Sequence, residues 1–352
     1  MTLPTVPRRW WPASALLLST VVCFALGGVL DNGTLDLGVT LLCYLAIAQA
    51  WNVLAGFGGL VSLGAAAFVA TGSYAAALVL VHTGLGWPLA VAAAPVTAML
   101  LSLLLSAALL RLRGDYFSIG TLAIAIALQA LIRNWSWAGG ASGVTLPADA
   151  VPSGGNLFQL AVLVAALAMA LTLYARYSDF GLRLAAIRDN EPAAAGLGVA
   201  VRRHQLAALL PSSGITGLAG AVIAFQFVVI SPDGVASVSW SLNAVLMTVV
   251  GGTGTILGPV LGVGVVYYGL TRGLQSEQTL SLVIEGILLI GIVRFAPQGV
   301  WPLLCRAARR LLGPRPDSDS DSDSDTGRPV ADRGKKDEPA PAGTEPVALD
   351  AV

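Results

Sequence analysis

Apolar runs of membrane-crossing length fill nearly all of residues 13–304, and no other feature constrains the fold as strongly. A spanning helix needs about 20 consecutive apolar residues. Divided at charges, prolines and glycine clusters, the runs fall at 13–30, 37–55, 60–81, 87–110, 116–132, 157–175, 205–230, 238–252, 255–271 and 279–296. Charged residues make up 11% of the chain, whereas a soluble domain carries roughly 25%. The sequence therefore predicts an all-α polytopic helical membrane protein with about ten transmembrane helices, some of them interrupted. A soluble enzyme with a small membrane anchor is excluded. The first run ends in Gly27, Gly28, Val29, Leu30 and Asp31 without an A-x-A cleavage pattern, so it reads as a retained span or signal anchor.

Charge sets the expected orientation. Residues 1–316 hold 16 Lys and Arg against 10 Asp and Glu, a surplus of six, while residues 317–352 hold 4 against 10. Cytoplasmic loops of membrane proteins concentrate Lys and Arg. With Arg8 and Arg9 in the cytoplasm, so are Arg111 and Arg113, the group Arg176, Arg183, Arg188, Arg202 and Arg203, and the cluster Arg294, Arg306, Arg309 and Arg310. Asp31, Asp36, Asp149 and Asp233 then lie outside; Arg133 and Arg272, each at the outer end of a span, are exceptions. An even number of spans with both termini cytoplasmic follows. The organisation expected is a cytoplasmic N-terminus (1–12), a transmembrane domain (13–304) with a charged cytoplasmic loop (176–204), and a basic juxtamembrane segment with an acidic tail (305–352). The alternating Asp and Ser from Asp317 to Asp325 cannot bury enough apolar surface to offset chain entropy, which predicts disorder there.

Catalytic chemistry has no foothold. His82 and His204 are the only histidines and sit at span ends, so neither a His-based triad nor a zinc site is expected. Cys23, Cys43 and Cys305 form no metal or CxxC spacing. The glycine-rich stretch from Gly251 to Gly258 lacks the Gly-Lys-Ser/Thr ending of a phosphate loop. Neither an enzyme activity, a cofactor nor a nucleic-acid partner is expected.

Ionisable residues within spans usually mark ion-driven transport, because each is costly at membrane depth. Glu285 is the one candidate carboxylate, either a pathway or gating group or a protonated or hydrogen-bonded residue facing the bundle interior or the outer interface. The spans instead carry small and amide residues. Gly56 to Gly64 breaks the run between the second and third spans, Pro211-Ser212-Ser213-Gly214 interrupts the seventh, and Gly258-Pro259 starts the ninth. Small residues let helix backbones approach closely in lipid, and interrupted helices leave backbone groups that only protein or a water-filled cavity can satisfy. Close packing and a pathway both fit. Gln49, Asn52, Gln129 and Asn243 are neutral hydrogen-bonding groups suited to passing a polar solute, and with Glu285 they form the candidate pathway set.

The loop from Tyr177 to Gly198 predicts two short helices around Pro192, with Leu182, Ala185 and Ala186 on one face and Arg183 and Arg188 off it. Glu191-Pro192 suits a helix start and Gly198 a helix end. Such a pair can be a structured loop or a plug for a cleft on another protein.

Arg188-Asp189-Asn190-Glu191 with Ala193, Ala194 and Gly198 resembles the coupling segment of ABC-importer permeases, specifically the branched-chain amino acid permease family (LivH/LivM type, LivM-like). Further blocks resemble the same family in order: Gly58 to Gly64 through Tyr74; Arg111 to Phe117 with Thr121-Leu122-Ala123; Gly139 to Gly143; Gly217 to Ala221; Val250 to Pro259; and Phe295 to Gly299. Together they cover about residues 50–300. At Leu206 to Pro211 the chain departs from the family's aromatic-rich helix, and near His204 it lacks the usual Lys.

The resemblance implies a permease subunit in the cytoplasmic membrane for branched-chain or related amino acids. Its implied partners are a second, LivH-like permease, two cytoplasmic ABC ATPases, an external solute-binding protein and the lipid bilayer. It also implies that Glu191, Ala193, Ala194 and Gly198 contact the ATPase, with Arg188 and Asp189 flanking them. Urea or short amides are alternative solutes within the same family. A secondary carrier or channel, or a membrane scaffold, are alternatives of other classes; neither needs a coupling loop.

Overall fold

The computed structural model describes residues 11–26, 31–84, 86–147, 149–267 and 287. The chain divides into the units Met1–Leu311 and Leu312–Val352, and every described residue belongs to the first. In chain order the helices are α1 (Trp11–Leu26), α2 (Asn32–Asn52), α3 (Ala65–Thr83), α4 (Trp87–Leu109), α5 (Asp115–Asn134) and α6 (Gly154–Tyr177). There follow α7 (Asp179–Asp189), α8 (Glu191–Gly196), α9 (Val201–Phe227), α10 (Pro232–Val235), α11 (Ser239–Gly251) and α12 (Gly258–Val266). A two-residue antiparallel pair, β1 (Val144–Thr145) with β2 (Val229–Ile230), clasps the loop after α5 to the end of α9.

Seven described stretches are long and apolar enough to cross a membrane: Gly33–Phe57, Ala65–Thr83, Trp87–Leu109, Asp115–Asn134, Gly154–Tyr177, Val201–Phe227 and Pro232–Gly251. They coincide with the second to eighth runs read from the sequence, and α1 with the first. The ninth run opens as α12, with Gly258 and Pro259 at its start as expected. The remainder of that run, the tenth run apart from Ile287 and so including Glu285, the Phe295 to Gly299 block, Arg8, Arg9, Arg272, Arg294, Cys305, Arg306, Arg309, Arg310 and the acidic tail lie outside the described residues.

The break after α2 forms as anticipated, and side chains meet several of its backbone groups. Past Asn52 the helix widens into a π-turn, Val53–Phe57, with Leu60 N donating to Leu54 O at 3.0 Å. Gly59 then adopts φ +70° and the chain runs non-helically to Gly64. Unpaired backbone groups are intolerable in an apolar medium, and side chains meet them here. Trp51 Nε1 donates to Ser62 O (2.6 Å), Ser118 Oγ to Val61 O (2.6 Å), Leu63 N to Thr121 Oγ1 (2.9 Å) and Ala66 N to Ser241 Oγ (2.9 Å).

The expected interruption at Pro211 does not form: α9 runs unbroken through it. Packing overrides the proline. Among the described long helices α9 is the most enclosed, and its Gly214, Gly217 and Gly220 lie against Met99, Ala98 and the Val69 carbonyl. A Cβ at Gly72 of α3 would collide with the Gly217 carbonyl, so the two backbones are in direct contact. Ser73 Oγ donates to Gly220 O across the same contact at 2.7 Å. Small residues thus act as packing surfaces, the arrangement lipid-embedded helices use when no hydrophobic drive joins them. α4 and α5 leave most of their apolar surface outward, including Leu100, Leu104, Ile119 and Leu131.

Candidate functional site

At the end of the bundle where α6 stops, two short helices fold back against it. Ser178 caps α7 by accepting from Gly181 N, and Gly181 packs so closely beneath the Ala175 carbonyl that no Cβ fits. That contact turns Gly181, Leu184 and Ile187 inward. The face shared by Leu182, Ala185 and Ala186 is thus not the inward one: Leu182 is 71% exposed, and Ala186 also faces out. A glycine that permits close approach outranks a leucine in setting the face, which hydrophobicity alone does not register. Phe180 stacks between Tyr174 and His204, at 5.9 and 6.1 Å, bracing α7 between α6 and the start of α9.

Asn190 separates the pair and caps α8, its Oδ1 accepting from Ala193 N at 3.0 Å, with Pro192 in the first turn. Ala194 is buried, Ala193 exposed, and Leu197 is 84% exposed. Gly198 follows at φ +85°, in open space. Two short helices around Pro192, the second opening at Glu191-Pro192 and closing before Gly198, are what the sequence predicts. Glu191 lies 3.6 Å from Arg113, a partner that sequence spacing could not reveal.

Arg188 behaves differently from its neighbours. Its Nε and Nη2 donate to Asp189 Oδ1 at 3.0 and 2.9 Å, while Nη1 donates to the Gly56 carbonyl in the π-turn at 2.8 Å. The same turn meets the loop between α11 and α12. Asn52 Nδ2 donates to Thr255 O at 2.8 Å and its Oδ1 accepts from Gly254 N at 2.8 Å. One turn earlier, Gln49 Nε2 donates to Ile256 O (2.8 Å) and Oε1 accepts from Thr172 Oγ1 (3.0 Å). Both amides are fully buried, and both hold the 252–257 loop. The Gly254 amide, which a phosphate loop would present to a ligand, is thereby occupied.

The remaining candidates are dispersed. Gln129 Nε2 donates to Asp233 Oδ1 at 3.3 Å, beside an Arg133–Asp233 pair at 3.4 Å. Asn243 on α11 is buried, and its Oδ1 has no hydrogen-bond partner. Glu285 lies outside the described residues. A small cavity where α2, the break, α3 and α9 meet is lined by residues including Trp51, Ser62, Phe68, Ser212, Ser213 and Thr216, and the buried Ser212 hydroxyl is unpartnered. Among the described residues no group of three or more His, Cys, Asp or Glu could hold a metal ion. Of the hydroxyls that complete the break, Ser62 and Thr121 were read only as parts of family blocks, and Ser118 and Ser241 escaped the sequence reading; polar residues inside apolar runs opposite a glycine-rich gap were their one signal.

Residues 33–293 match the protein family described as "Branched-chain amino acid transport system / permease component". The chain is 27% identical over 332 residues to the high-affinity branched-chain amino acid transport system permease protein LivM of Escherichia coli (strain K12), covering 85% of this chain and 76% of that protein. It is also 27% identical over 321 residues to LivM of Salmonella typhimurium (strain LT2), covering 82% and 74%. A shorter likeness, 30% over 121 residues, joins it to the inner membrane ABC transporter permease protein YjfF of Escherichia coli (strain K12), covering 33% and 36%. No solved structure matches.

Proposed function

From the premise that this chain belongs to the branched-chain amino acid transport system permease family, we propose that it is the transmembrane permease subunit of an ABC importer, forming a path for branched-chain or related amino acids across the cell membrane. The α7–α8 pair carries this reading. It is a braced, two-helix projection with apolar Leu182 and Leu197 directed outward, which a carrier or channel working alone does not need. Exposed leucines beside a polar rim are what a docking partner buries. In this reading Glu191, Ala193, Ala194 and Gly198 meet a cytoplasmic ATPase, flanked by Arg188 and Asp189.

The complete assembly contains a second, LivH-like permease, two such ATPases and an external solute-binding protein. The permease domain spans residues 13–304 with about ten helices and both termini in the cytoplasm, followed by the acidic tail. The path draws on Gln129 and Asn243, and on Glu285 in the last span, while Gln49 and Asn52 shape it through the loop they hold.

Substitution in the projection tests the reading. Glu191→Arg sets a cation opposite Arg113 on an exposed surface, and Gly198→Arg adds bulk in open space at a left-handed position. Both variants should insert and assemble as folded membrane proteins yet lose ATP-dependent uptake in proteoliposomes containing the whole complex. Undiminished uptake by both removes the assignment of this surface to the ATPase.

A further inference from the structure

Resting on that reading, we propose that Arg188 is a positioning residue: a strut that carries movement of the α7–α8 pair into the π-turn at Gly56 and, through Asn52, into the 252–257 loop that precedes α12.

Three features of the structure place the strut. First, the stem of Arg188 lies along the backbone of Gly59, where a Cβ would fall 2.7 Å from Arg188 Cγ; only a glycine at φ +70° leaves this passage open. Second, the guanidinium is held at both ends, by Asp189 on its own helix and by the Gly56 carbonyl on α2's extension. A guanidinium is a planar fork of fixed geometry, so bonds on two of its edges fix its orientation. Third, Gly56 is itself the meeting point of the next link. A Cβ there would strike Asn52 Oδ1 and lie 2.5 Å from Gly254 N, the two atoms joined by the Asn52–Gly254 hydrogen bond.

The connected path is short: α7, Arg188, Gly56, Asn52, Gly254–Thr255, α12. Each link is a hydrogen bond or a backbone contact with no room for an extra carbon. Packed contacts of this kind shift as units rather than deforming gradually. The π-turn supplies the compliant element, since it is the last turn of α2 and opens into the non-helical stretch 59–64, so it can tighten or widen without breaking a helix beyond it. Arg188 thus acts inward, through the bundle, while Ala193, Leu182 and Leu197 face outward.

The test uses the full complex reconstituted with its ATPases and binding protein, comparing the native chain with Arg188→Ala and Arg188→Lys. In Arg188→Ala the ATPase should copurify as in the native complex and ATP hydrolysis should persist, while solute taken up per ATP falls about ten-fold or more, the scale of one lost charged hydrogen bond. Arg188→Lys, which keeps the charge and one donor toward Gly56, should recover part of that ratio. Loss of the ATPase from Arg188→Ala in step with uptake makes the residue a docking contact instead and overturns the strut. So does an unchanged uptake per ATP.

Hydrogen exchange on the native complex gives a reading independent of any variant's folding. A non-hydrolysable ATP analogue should alter protection of 53–59 and 252–257 together with 179–196; change confined to 179–196 overturns the proposal. A native complex without ATP-dependent uptake contradicts the importer reading itself, a result distinct from either failure of the strut.

Discussion

Glycine at single positions decides how closely this bundle packs. Gly72 and Gly84 separate two roles that look alike in the sequence. Gly72 faces the Gly217 carbonyl with no space for a Cβ, whereas Gly84 sits at φ +63° with nothing within 4 Å. Gly72→Ala should therefore destabilise the protein by about 1–3 kcal/mol or more through overpacking. Gly84→Ala should cost about 1 kcal/mol from backbone strain alone. Thermal unfolding of the two variants in detergent should show the larger drop in midpoint for Gly72→Ala; equal drops contradict the close α3–α9 contact. Small residues and amides inside apolar runs were legible as unusual, but their partners were not. Gln49 and Asn52 bind backbone groups roughly 200 positions away, and a carbonyl leaves no mark in a sequence.

Among elements, the start of α8 at Glu191-Pro192 and its end before Gly198 were readable because their causes are local, while the caps by Ser178 and Asn190 were equally local but came only from the structure. The orientation of the α7–α8 pair was not, since the tertiary contact of Gly181 with Ala175 chooses the face. The same distinction explains α9. Pro211 disfavours a helix locally, yet three glycines beyond it let two neighbouring helices enclose the segment, and that enclosure keeps it helical. The outward face of the pair carries a prediction. Leu182→Glu with Leu197→Glu changes two exposed side chains, so the unfolding midpoint of the isolated chain should barely move. Affinity for the ATPase should fall about ten-fold or more, since apolar anchors dominate such interfaces. Binding measured by copurification or titration at native strength returns this face to a plain surface loop.

For the whole molecule, apolar run length alone indicated a polytopic helical bundle, and seven described stretches follow the runs closely. The two-residue β clasp was not legible, because so short a pair has no period of its own. The described helices carry amides and hydroxyls at their centre, and the projecting helix pair is bonded inward through Arg188. In the proposed importer, energy comes from the ATPases. The direct measurement is accumulation of labelled branched-chain amino acids in sealed proteoliposomes, with the purified chain alone and with the assembled complex, ATP and binding protein. The account predicts uphill accumulation only in the complete, ATP-supplied system. Accumulation against a gradient by this polypeptide alone contradicts it.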